Sequence, residues 1–359
     1  MNITFLIGNG FDLNIGLETT YSAFLNDYKI VHEKDSELIK YFKTKILNDT
    51  NMWSSAEKAF GVATKKFKED GYNAEDFCIC HEDFCLKLAK YLLNQEQRLH
   101  YTSLKEIITK GFADAIRNYK KGFREAETQI ISGAESSFGG GFSFNFISFN
   151  YTAVLDLCFE MLRSKNGLIG TRSTRSGIIA NQLGKVLHVH GTVDKDMVLG
   201  VNDISQIAEP SLFDGFDEEY LNELIKQKTN EINEENSDKK AFDLLKASDL
   251  IYIYGMSIGE TDKLWWQRIC ELMKQKPSLH VIIHRYDAPE EGLIRREYRL
   301  FVNNVKKEFT VYSGLDETKK REIETRIHIS GINLFSDLSS LVENPANQDN
   351  TEETLTVAS

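Results

Sequence analysis

The stretch Phe5–Tyr21, FLIGNGFDLNIGLETTY, places a short apolar run directly before Gly-Asn-Gly and a helix-like segment. The run Ile3–Ile7 is typical of a buried parallel strand. At the end of such a strand glycine lets other groups approach the backbone, and the start of a helix favours an anion. The stretch therefore predicts the first strand of an α/β sheet and a nucleotide-binding turn at residues 8–10. An ordinary tight turn is the alternative, because the third glycine, Gly16, lies too far along the chain for the usual dinucleotide fingerprint.

Composition limits the classes of protein that the chain can belong to. With 359 residues, 41 % of them hydrophobic, the chain can bury a large core. Its 43 Lys and Arg residues against 54 Asp and Glu residues give a net charge of -11, which disfavours binding to nucleic acid. The apolar runs are shorter than the roughly 18 residues of a membrane span, and the first residues do not resemble a signal peptide. We therefore predict a cytoplasmic protein without membrane contact.

The five cysteines are an odd number, which favours reduced thiols over a disulfide framework. Cys78, Cys80, His81 and Cys85 lie close together in the sequence and have the side chains of a metal site. Their spacing lacks the usual C-x2-C pairs, however, and aromatic neighbours favour a helix face. No metal site is expected.

Six apolar runs, most of them followed by small or polar residues, predict strands. Alternation of such runs with helix-like segments is typical of a doubly wound α/β sheet. The predicted strands are Ile3–Ile7, Phe144–Phe149, Lys185–Val189, Asp249–Tyr254, His280–His284 and Phe309–Tyr312.

Two helical stretches interrupt the predicted α/β domain, which spans residues 1–342. The first, 28–142, has apolar residues at helical spacing and is interpreted as a large helical insertion or cap. The second, 205–247, is highly charged and is interpreted as a solvated helical face. The tail, 343–359, has few core-forming residues and is predicted to be disordered.

Polar side chains follow three further predicted strands. Asn150 and Tyr151 come directly after the second strand, where an amide can hold water or a carboxamide; alternatively, Asn150 caps the helix that starts near Tyr151. His188 and His190 share one face of their strand. We favour a core position for His188, and for His190 a place in the crevice, where an imidazole acts as acid, base or hydrogen-bond partner near neutral pH.

The strand at Asp249–Tyr254 ends in Gly255, followed by Ser257 and Asp262. Glycine and a hydroxyl allow contact with ribose or phosphate, and Asp262 either caps the next helix or accepts from a sugar hydroxyl. The carboxyl ends of parallel strands meet at one edge of a sheet. The four polar strand ends are therefore expected to share one crevice.

The segments GNGFDLNIGLETTY, FNYT, HVHG and GMSIGETD together resemble the AbiH abortive-infection family of bacterial phage-defence proteins, over about residues 3–30 and 144–335. That family is itself similar to the sirtuin-like NAD-binding fold. The resemblance implies a Rossmann-like α/β fold, with a sirtuin-type parallel sheet and a large helical insertion. It implies that Asn150 and His190 are catalytic. The residues that it implies for contact with NAD are Gly8, Asn9, Gly10, Gly255 and Ser257. Further candidates for binding NAD are Phe11, Asp12, Thr20, Tyr151 and Asp262.

The departures from the sirtuin-like pattern shape the expected activity. Thr152 stands where many relatives carry an aspartate, and the zinc-binding cysteine pairs of deacylating sirtuins are absent. The resemblance therefore implies hydrolysis of NAD, as substrate, at the nicotinamide–ribose bond rather than deacylation of proteins. By analogy a phage-derived trigger or partner protein and a homo-oligomer are expected.

Two other functions stay open from the sequence. One is a nucleotide-binding sensor or interaction module without catalysis, which the replacement by Thr152 favours. The other is a nuclease-type toxin. Only one feature supports it, the basic patch of Arg163, Lys165, Arg172 and Arg175.

Overall fold

The fold is built on a seven-stranded sheet. The computed structural model describes residues 1–48, 53, 55–136, 138–164, 166–174, 177–232, 236–289, 295–339 and 341–342, and the predicted disordered tail 343–359 lies outside them. The strands are β1 Asn2–Ile7, β2 Ser143–Ser148, β3 Leu168–Thr174, β4 Gly177–His188, β5 Leu250–Tyr254, β6 His280–His284 and β7 Ile327–Ser330. Their order is β3-β4-β2-β1-β5-β6-β7, and every neighbouring pair is parallel except β3 and β4. The predicted Rossmann-like α/β class is confirmed, whereas the sirtuin-type relationship stays a prediction.

Five of the six predicted strands are present, and the sixth is wrong. The run Phe309–Tyr312 continues helix Arg295–Thr310 into a short 3-10 turn. Its apolar residues are explained by the helix, because Val305 and Phe309 are four residues apart and both are buried. The pattern of the run alone does not separate a short strand from the last turn of a buried helix.

Two strands were not predicted. The strand β3 is the edge strand of a hairpin with β4, and its sequence LIGTRST is mostly polar. The strand β7 has only four residues, IHIS. Both carry too few apolar residues for the periodicity to reveal them.

Fourteen α-helices surround the sheet within the part of the chain that is described. They are α1 Gly10–Ile15, α2 Tyr21–Tyr28, α3 Glu37–Tyr41, α4 Ala56–Glu69, α5 Ala74–Gln97, α6 Tyr101–Arg117, α7 Glu125–Ser136, α8 Val154–Arg163, α9 Glu218–Asn222, α10 Lys226–Ile232, α11 Ser237–Lys246, α12 Lys263–Gln275, α13 Arg295–Thr310 and α14 Glu317–Glu324. None of the described helices is long and apolar enough to cross a membrane.

Helices cover both faces of the sheet, which explains why its central strands are apolar on both sides. Helices α1, α6, α7 and α8 pack on one face, around aromatic side chains such as Phe5 and Phe146. Helices α11 to α14 pack on the other, around Leu6 and Ile147. These two layers fix the strand ends that carry the candidate site.

A third core lies outside the two sheet layers. It joins α2, α3, α4 and α5 to buried side chains from a later segment, including Leu199, Leu212 and Leu224. The stretch 28–142 therefore divides between two cores, because α6 and α7 pack on the sheet while the helices before them form the third core. The later segment is not a solvated face throughout, since Leu224, Ile225 and Lys226 are buried.

The strand order creates a switch point at the central strand. From β1 the chain fills one side of the sheet with β2 and β4, and then crosses back to add β5, β6 and β7 on the other side. In open α/β sheets ligands bind at the carboxyl edge of the strands beside such a switch point.

Candidate functional site

A cleft of about 320 Å³ opens at the carboxyl ends of β1, β2, β4 and β5. It lies between the sheet and the third core, because α5 contributes Leu88 and Leu92 to its wall. Ten of the twelve predicted site residues line it: Gly8, Asn9, Asp12, Thr20, Asn150, Tyr151, His190, Gly255, Ser257 and Asp262. The structure therefore brings the four polar strand ends together.

The glycines of the first turn allow the ends of β1 and β5 to approach each other closely. A Cβ on Gly10 would lie 2.5 Å from the Cα of Gly255, and a Cβ on Gly8 would lie 2.6 Å from the Gly255 carbonyl oxygen. The N–H of Gly8 donates to the Tyr254 carbonyl, that of Gly10 to Gly255, and that of Phe11 to Gly8. These donors are not available to a phosphate, which corrects the expected phosphate-binding turn.

Gly10 and Phe11 do not line the cleft. Phe11 is fully buried on the sheet side, where its ring packs edge-on against Phe335 with centroids 5.0 Å apart. An aromatic residue directly after a strand-end glycine thus belongs to the core rather than to a ligand. The sequence does not distinguish these two positions.

The side chains of Asn9 and Thr20 hold the opening segment in place. The amide of Asn9 donates to the Thr19 carbonyl and accepts from the Thr19 hydroxyl at 2.6 Å. The Thr20 hydroxyl accepts from the Ala23 N–H and caps α2. Both residues line the cleft while performing these structural roles.

Asp12 is the centre of a buried polar cluster. Its carboxylate accepts from the Asn150 amide at 2.9 Å and from the Thr152 hydroxyl at 2.6 Å. Burial raises the pKa of Asp12 to about 7, although the two hydrogen bonds act in the opposite direction. Thr152, the departure from the sirtuin-like pattern, is thus bonded to a carboxylate that comes from the first turn.

Asn150 lines the same cleft, and one end of its amide has no partner among the described residues. Because Nδ2 is bound to Asp12, Oδ1 is the free end of the amide, and it is buried with no hydrogen-bond partner in the described part of the chain. A buried acceptor without a partner costs about 1–3 kcal/mol. Asn150 does not cap a helix, because α8 begins three residues beyond Tyr151, after Ala153. Its oxygen is therefore a buried acceptor without a partner within the described ranges, next to the cleft.

A charged network lies beneath the His190 side of the cleft. The ammonium of Lys226 lies 2.8 Å from Glu57 Oε1 and 3.4 Å from His190 Nε2. The Tyr151 hydroxyl donates to the same Glu57 oxygen at 3.0 Å. Burial alone raises the pKa of Glu57, but the Lys226 ammonium and the hydrogen bonds from Lys226 and Tyr151 outweigh it and hold that pKa below its usual value. Glu57 is therefore an ionised carboxylate in the cleft wall.

His190 is neutral. Burial, together with the Lys226 ammonium, lowers the pKa of His190 to about 3. Its ring bonds to the Phe149 backbone and accepts from Lys226. The expectation that His190 titrates near neutral pH is therefore wrong, because the cations and apolar groups around a strand end cannot be inferred from the strand itself.

His188 lies behind Asn150. Its Nε2 lies 2.6 Å from Asp156 Oδ2, and its Nδ1 lies 3.3 Å from the Asn150 carbonyl. The preference for a bonded, inward position of His188 is consistent with these contacts. Among the residues that the structure describes, no group of three or more His, Cys, Asp or Glu side chains is arranged to hold a metal ion.

Asp262 supplies a second carboxyl group with an unusual pKa. Burial raises the pKa of Asp262 to about 7, with Lys226 acting against that rise. The residue stands at the start of α12, but its side chain makes no capping hydrogen bond, so the capping alternative is wrong. Ser257 is exposed at the cleft mouth. Asp12 and Asp262 are thus the two cleft carboxyls that can exchange a proton near neutral pH, and Asp262 is the more exposed of the two.

The remaining cleft residues were missed by the sequence analysis. Glu57 and Tyr21 belong to the helical stretches around the third core, and Lys226 to the charged segment taken as solvated. No local pattern marks them. The other missed lining residues are Thr19, Ser55, Leu88, Leu92, Phe149, Thr152, Met256 and Thr261.

The cysteine cluster is a helix face, as expected. Cys78, Cys80, His81 and Cys85 all lie on α5, and burial raises the pKa of each of the three thiols. The His81 ring contacts the Leu199 carbonyl at 2.9 Å. Cys78 and His81 join α5 to the later segment of the third core, whereas Cys80 contacts the Leu38 carbonyl of α3.

The structure describes two of the four residues of the basic patch, Arg163 and Arg172, and both have structural contacts. Arg163 donates to the Gly184 carbonyl, and the Arg172 guanidinium lies 4.4 Å from the centre of the Phe142 ring. Lys165 and Arg175 lie outside the described residues.

Fold and cleft define an α/β protein of the Rossmann-like class with a polar ligand cleft at the switch point of its sheet. The family model described as "Bacteriophage abortive infection AbiH" matches residues 4–284, so the chain belongs to that family. Membership implies a function in abortive infection by bacteriophage. No curated protein and no solved structure matches the chain.

Proposed function

We propose that the protein acts in abortive infection by hydrolysing NAD at the nicotinamide–ribose bond. One observation supports the proposal: Asn150, whose Oδ1 is buried and has no partner among the described residues, lines the same cleft as Asp12 and Asp262. An acceptor in that position suits a donor such as a ribose hydroxyl or the amide of nicotinamide. The carboxyl groups suit the positive charge that develops on the sugar.

The chemistry needs no acid, because nicotinamide leaves as a neutral molecule. The C–N bond breaks, and its electron pair neutralises the pyridinium ring. The resulting oxocarbenium-like ribose is stabilised by the negative charge of Glu57 and of ionised Asp12. A water molecule then forms the C–O bond and gives its proton to Asp262, so the products are ADP-ribose, nicotinamide and a proton.

The diphosphate of the substrate is assigned to helix starts rather than to the glycine turn. Helix α2 starts at Thr20, α4 starts after Ser55, and Thr261 lies in the short turn before α12; all three residues line the cleft. The Ser55 side chain makes no capping bond, so the first N–H groups of α4 are open to an anion.

His190 acts as a positioning residue in this proposal. Its neutral ring receives the Lys226 ammonium, which in turn holds the Glu57 carboxylate at the cleft. This role replaces direct proton transfer by His190.

Release of nicotinamide from NAD by the purified protein tests the proposal. We expect turnover by the wild type, and a loss of about 100-fold or more in kcat for Asp262→Asn and for Asn150→Ala. Glu260→Gln is the matched control, because Glu260 is exposed, outside the cleft and paired only with Lys58. Wild-type protein that is inactive both alone and in extracts of phage-infected cells would refute the proposal, as would full activity of Asp262→Asn.

A nucleotide-binding module without catalysis is the second candidate. It is favoured by the bonding of His190, whose neutral ring is occupied by Lys226 and the Phe149 backbone. Calorimetric binding of NAD by the wild type, without nicotinamide release under either condition, would support this function instead.

A further inference from the structure

A second cavity, of about 230 Å³, lies in the third core on the far side of α2 and α5 from the cleft. Its floor is formed by Phe24 and Tyr28 of α2. One wall is a face of α5 that carries Lys87 and Lys90, and the other is the loop 30–35. The cavity shares no lining residue with the cleft.

Positive charge dominates this cavity. Lys34, Lys87 and Lys90 line it, and none of them has an ion-pair partner among the described residues. Only two carboxylates line it, and one of these, Asp35, is already paired with the buried Lys43 at 2.8 Å. In a chain with a net charge of -11 a surplus of lysines around one cavity is unexpected.

The buried Lys43 holds the loop that forms one wall of the cavity. Its side chain is 4 % exposed, and its ammonium donates to Asp35 and to the Ile30 carbonyl. It also lies 5.0 Å from the centre of the Tyr28 ring. These contacts fix the loop against α2, so that Lys34 is held opposite Lys87 and Lys90.

We propose that this cavity binds a small phosphorylated metabolite, with the phosphate groups held by Lys34, Lys87 and Lys90. Three flexible ammonium groups around a small cavity suit the several oxygens of a phosphate or diphosphate. The lining ring of Tyr91 and the amide of Asn94, on the same face of α5, contact the rest of the ligand. The proposal does not depend on NAD hydrolysis.

The cavity and the cleft share structural elements. Helix α5 presents Lys87 and Tyr91 to the cavity and Leu88 and Leu92 to the cleft. The Tyr91 hydroxyl also donates to the Glu18 carbonyl at 2.7 Å, next to the Thr19 and Thr20 that line the cleft. Helix α5 and residues 18–20 therefore connect the cavity with the cleft.

Calorimetric titration of the full chain with inorganic pyrophosphate, at low ionic strength, tests the proposal. We expect saturable binding by the wild type and a loss of about tenfold or more in affinity for the double variant Lys87→Gln/Lys90→Gln. Both lysines are exposed, so the variant retains the fold. The matched control is Lys274→Gln/Lys319→Gln, which removes two exposed lysines far from the cavity and is expected to bind as the wild type does.

Three outcomes would overturn the proposal. They are absence of pyrophosphate binding by the wild type, equal affinity in the Lys87→Gln/Lys90→Gln variant, and equal affinity of the wild type for succinate, a dianion without phosphate. Pyrophosphate bound in the cleft instead would leave the Lys87→Gln/Lys90→Gln variant with the affinity of the wild type, since neither lysine lines the cleft. The same comparison therefore separates the two sites.

Discussion

Replacing Lys226 with methionine tests whether the network under the cleft is a buried ion pair. Lys226 is 3 % exposed in its side chain and Glu57 16 %, and their charged atoms are 2.8 Å apart. Removal of one partner leaves the other charge uncompensated, which costs about 3–5 kcal/mol for fully buried pairs. Because Glu57 keeps some contact with solvent, we expect Lys226→Met to lower the free energy of unfolding by about 3 kcal/mol.

The effect of Lys226→Met must also depend on pH. In the wild type the pKa of Glu57 is below its ordinary value of 4.5, so the pair stabilises the fold above about pH 4.5 and this stability is lost as the pH falls through the lowered pKa. Without Lys226, burial raises the pKa of Glu57, and stability is then lost as the pH rises. The difference between wild type and variant should therefore be larger at about pH 7.5 than at about pH 5.

Urea unfolding followed by tryptophan fluorescence at both pH values measures this difference. The matched control is Lys58→Met on the same helix as Glu57, because Lys58 and Glu260 form an exposed pair, 55 % accessible on each side, that should contribute about 0.5 kcal/mol or less. The double variant Glu57→Gln/Lys226→Met should recover part of the loss, since it buries no unpaired charge. An equal loss in Lys226→Met and Lys58→Met, or a loss that does not change with pH, would refute the assignment.

Three further outcomes follow from the cleft. Relative to the wild type, the stability of Asp12→Asn should rise by about 3 kcal/mol between about pH 5 and about pH 8. A pKa of about 7 against an ordinary 3.8 means that the wild type loses stability as the pH rises through this range, whereas an amide does not titrate; thermal unfolding of the two proteins checks this, and a difference in stability that does not change with pH would contradict it. Gly255→Ala should lower the free energy of unfolding by about 3 kcal/mol, because its φ is +68° and the new Cβ would lie 2.8 Å from the Gly10 Cα. The control Gly314→Ala, with a φ of +67° and open space around it, should lower it by about 1 kcal/mol in the same urea assay. Equal losses in the two variants would argue against the close approach of Gly255 to Gly10. The His190 ring should remain neutral from about pH 5 to pH 8 in a nitrogen-15 NMR titration, and a signal that titrates near the ordinary value of 6.5 would show that Lys226 does not face it.

The sequence predicts the central part of the fold well because the central strands are apolar on both faces. Runs such as Ile3–Ile7 and His280–His284 have few alternative structures once a large core is assumed, and they are found within one residue of their predicted bounds. The edge strand β3 and the short strand β7 are not predicted, because edge position and short length remove the apolar pattern. Phe309–Tyr312 shows the converse error, in which the end of a buried helix has the composition of a strand.

The candidate site is only partly predictable for a related reason. The rule that polar strand ends converge locates Asn150, His190 and Asp262 correctly in one cleft, because it depends only on the parallel sheet. The ionisation of these residues cannot be predicted in the same way. It depends on Lys226 and Glu57, whose positions follow from packing of the third core and not from any local pattern.

The two helical stretches contribute to the cleft although most of its residues come from strand ends. The sheet supplies Asn150 and His190, but Glu57 comes from α4 and Lys226 from the start of α10. The contact of Lys226 with both Glu57 and His190 exists only when the third core is closed over the sheet edge. Any ligand or partner that loosens the third core would weaken this contact and with it the negative charge on the cleft wall, whereas one that tightens the core would strengthen both. The same packing that stabilises the helices therefore gives them control over the electrostatics of the site.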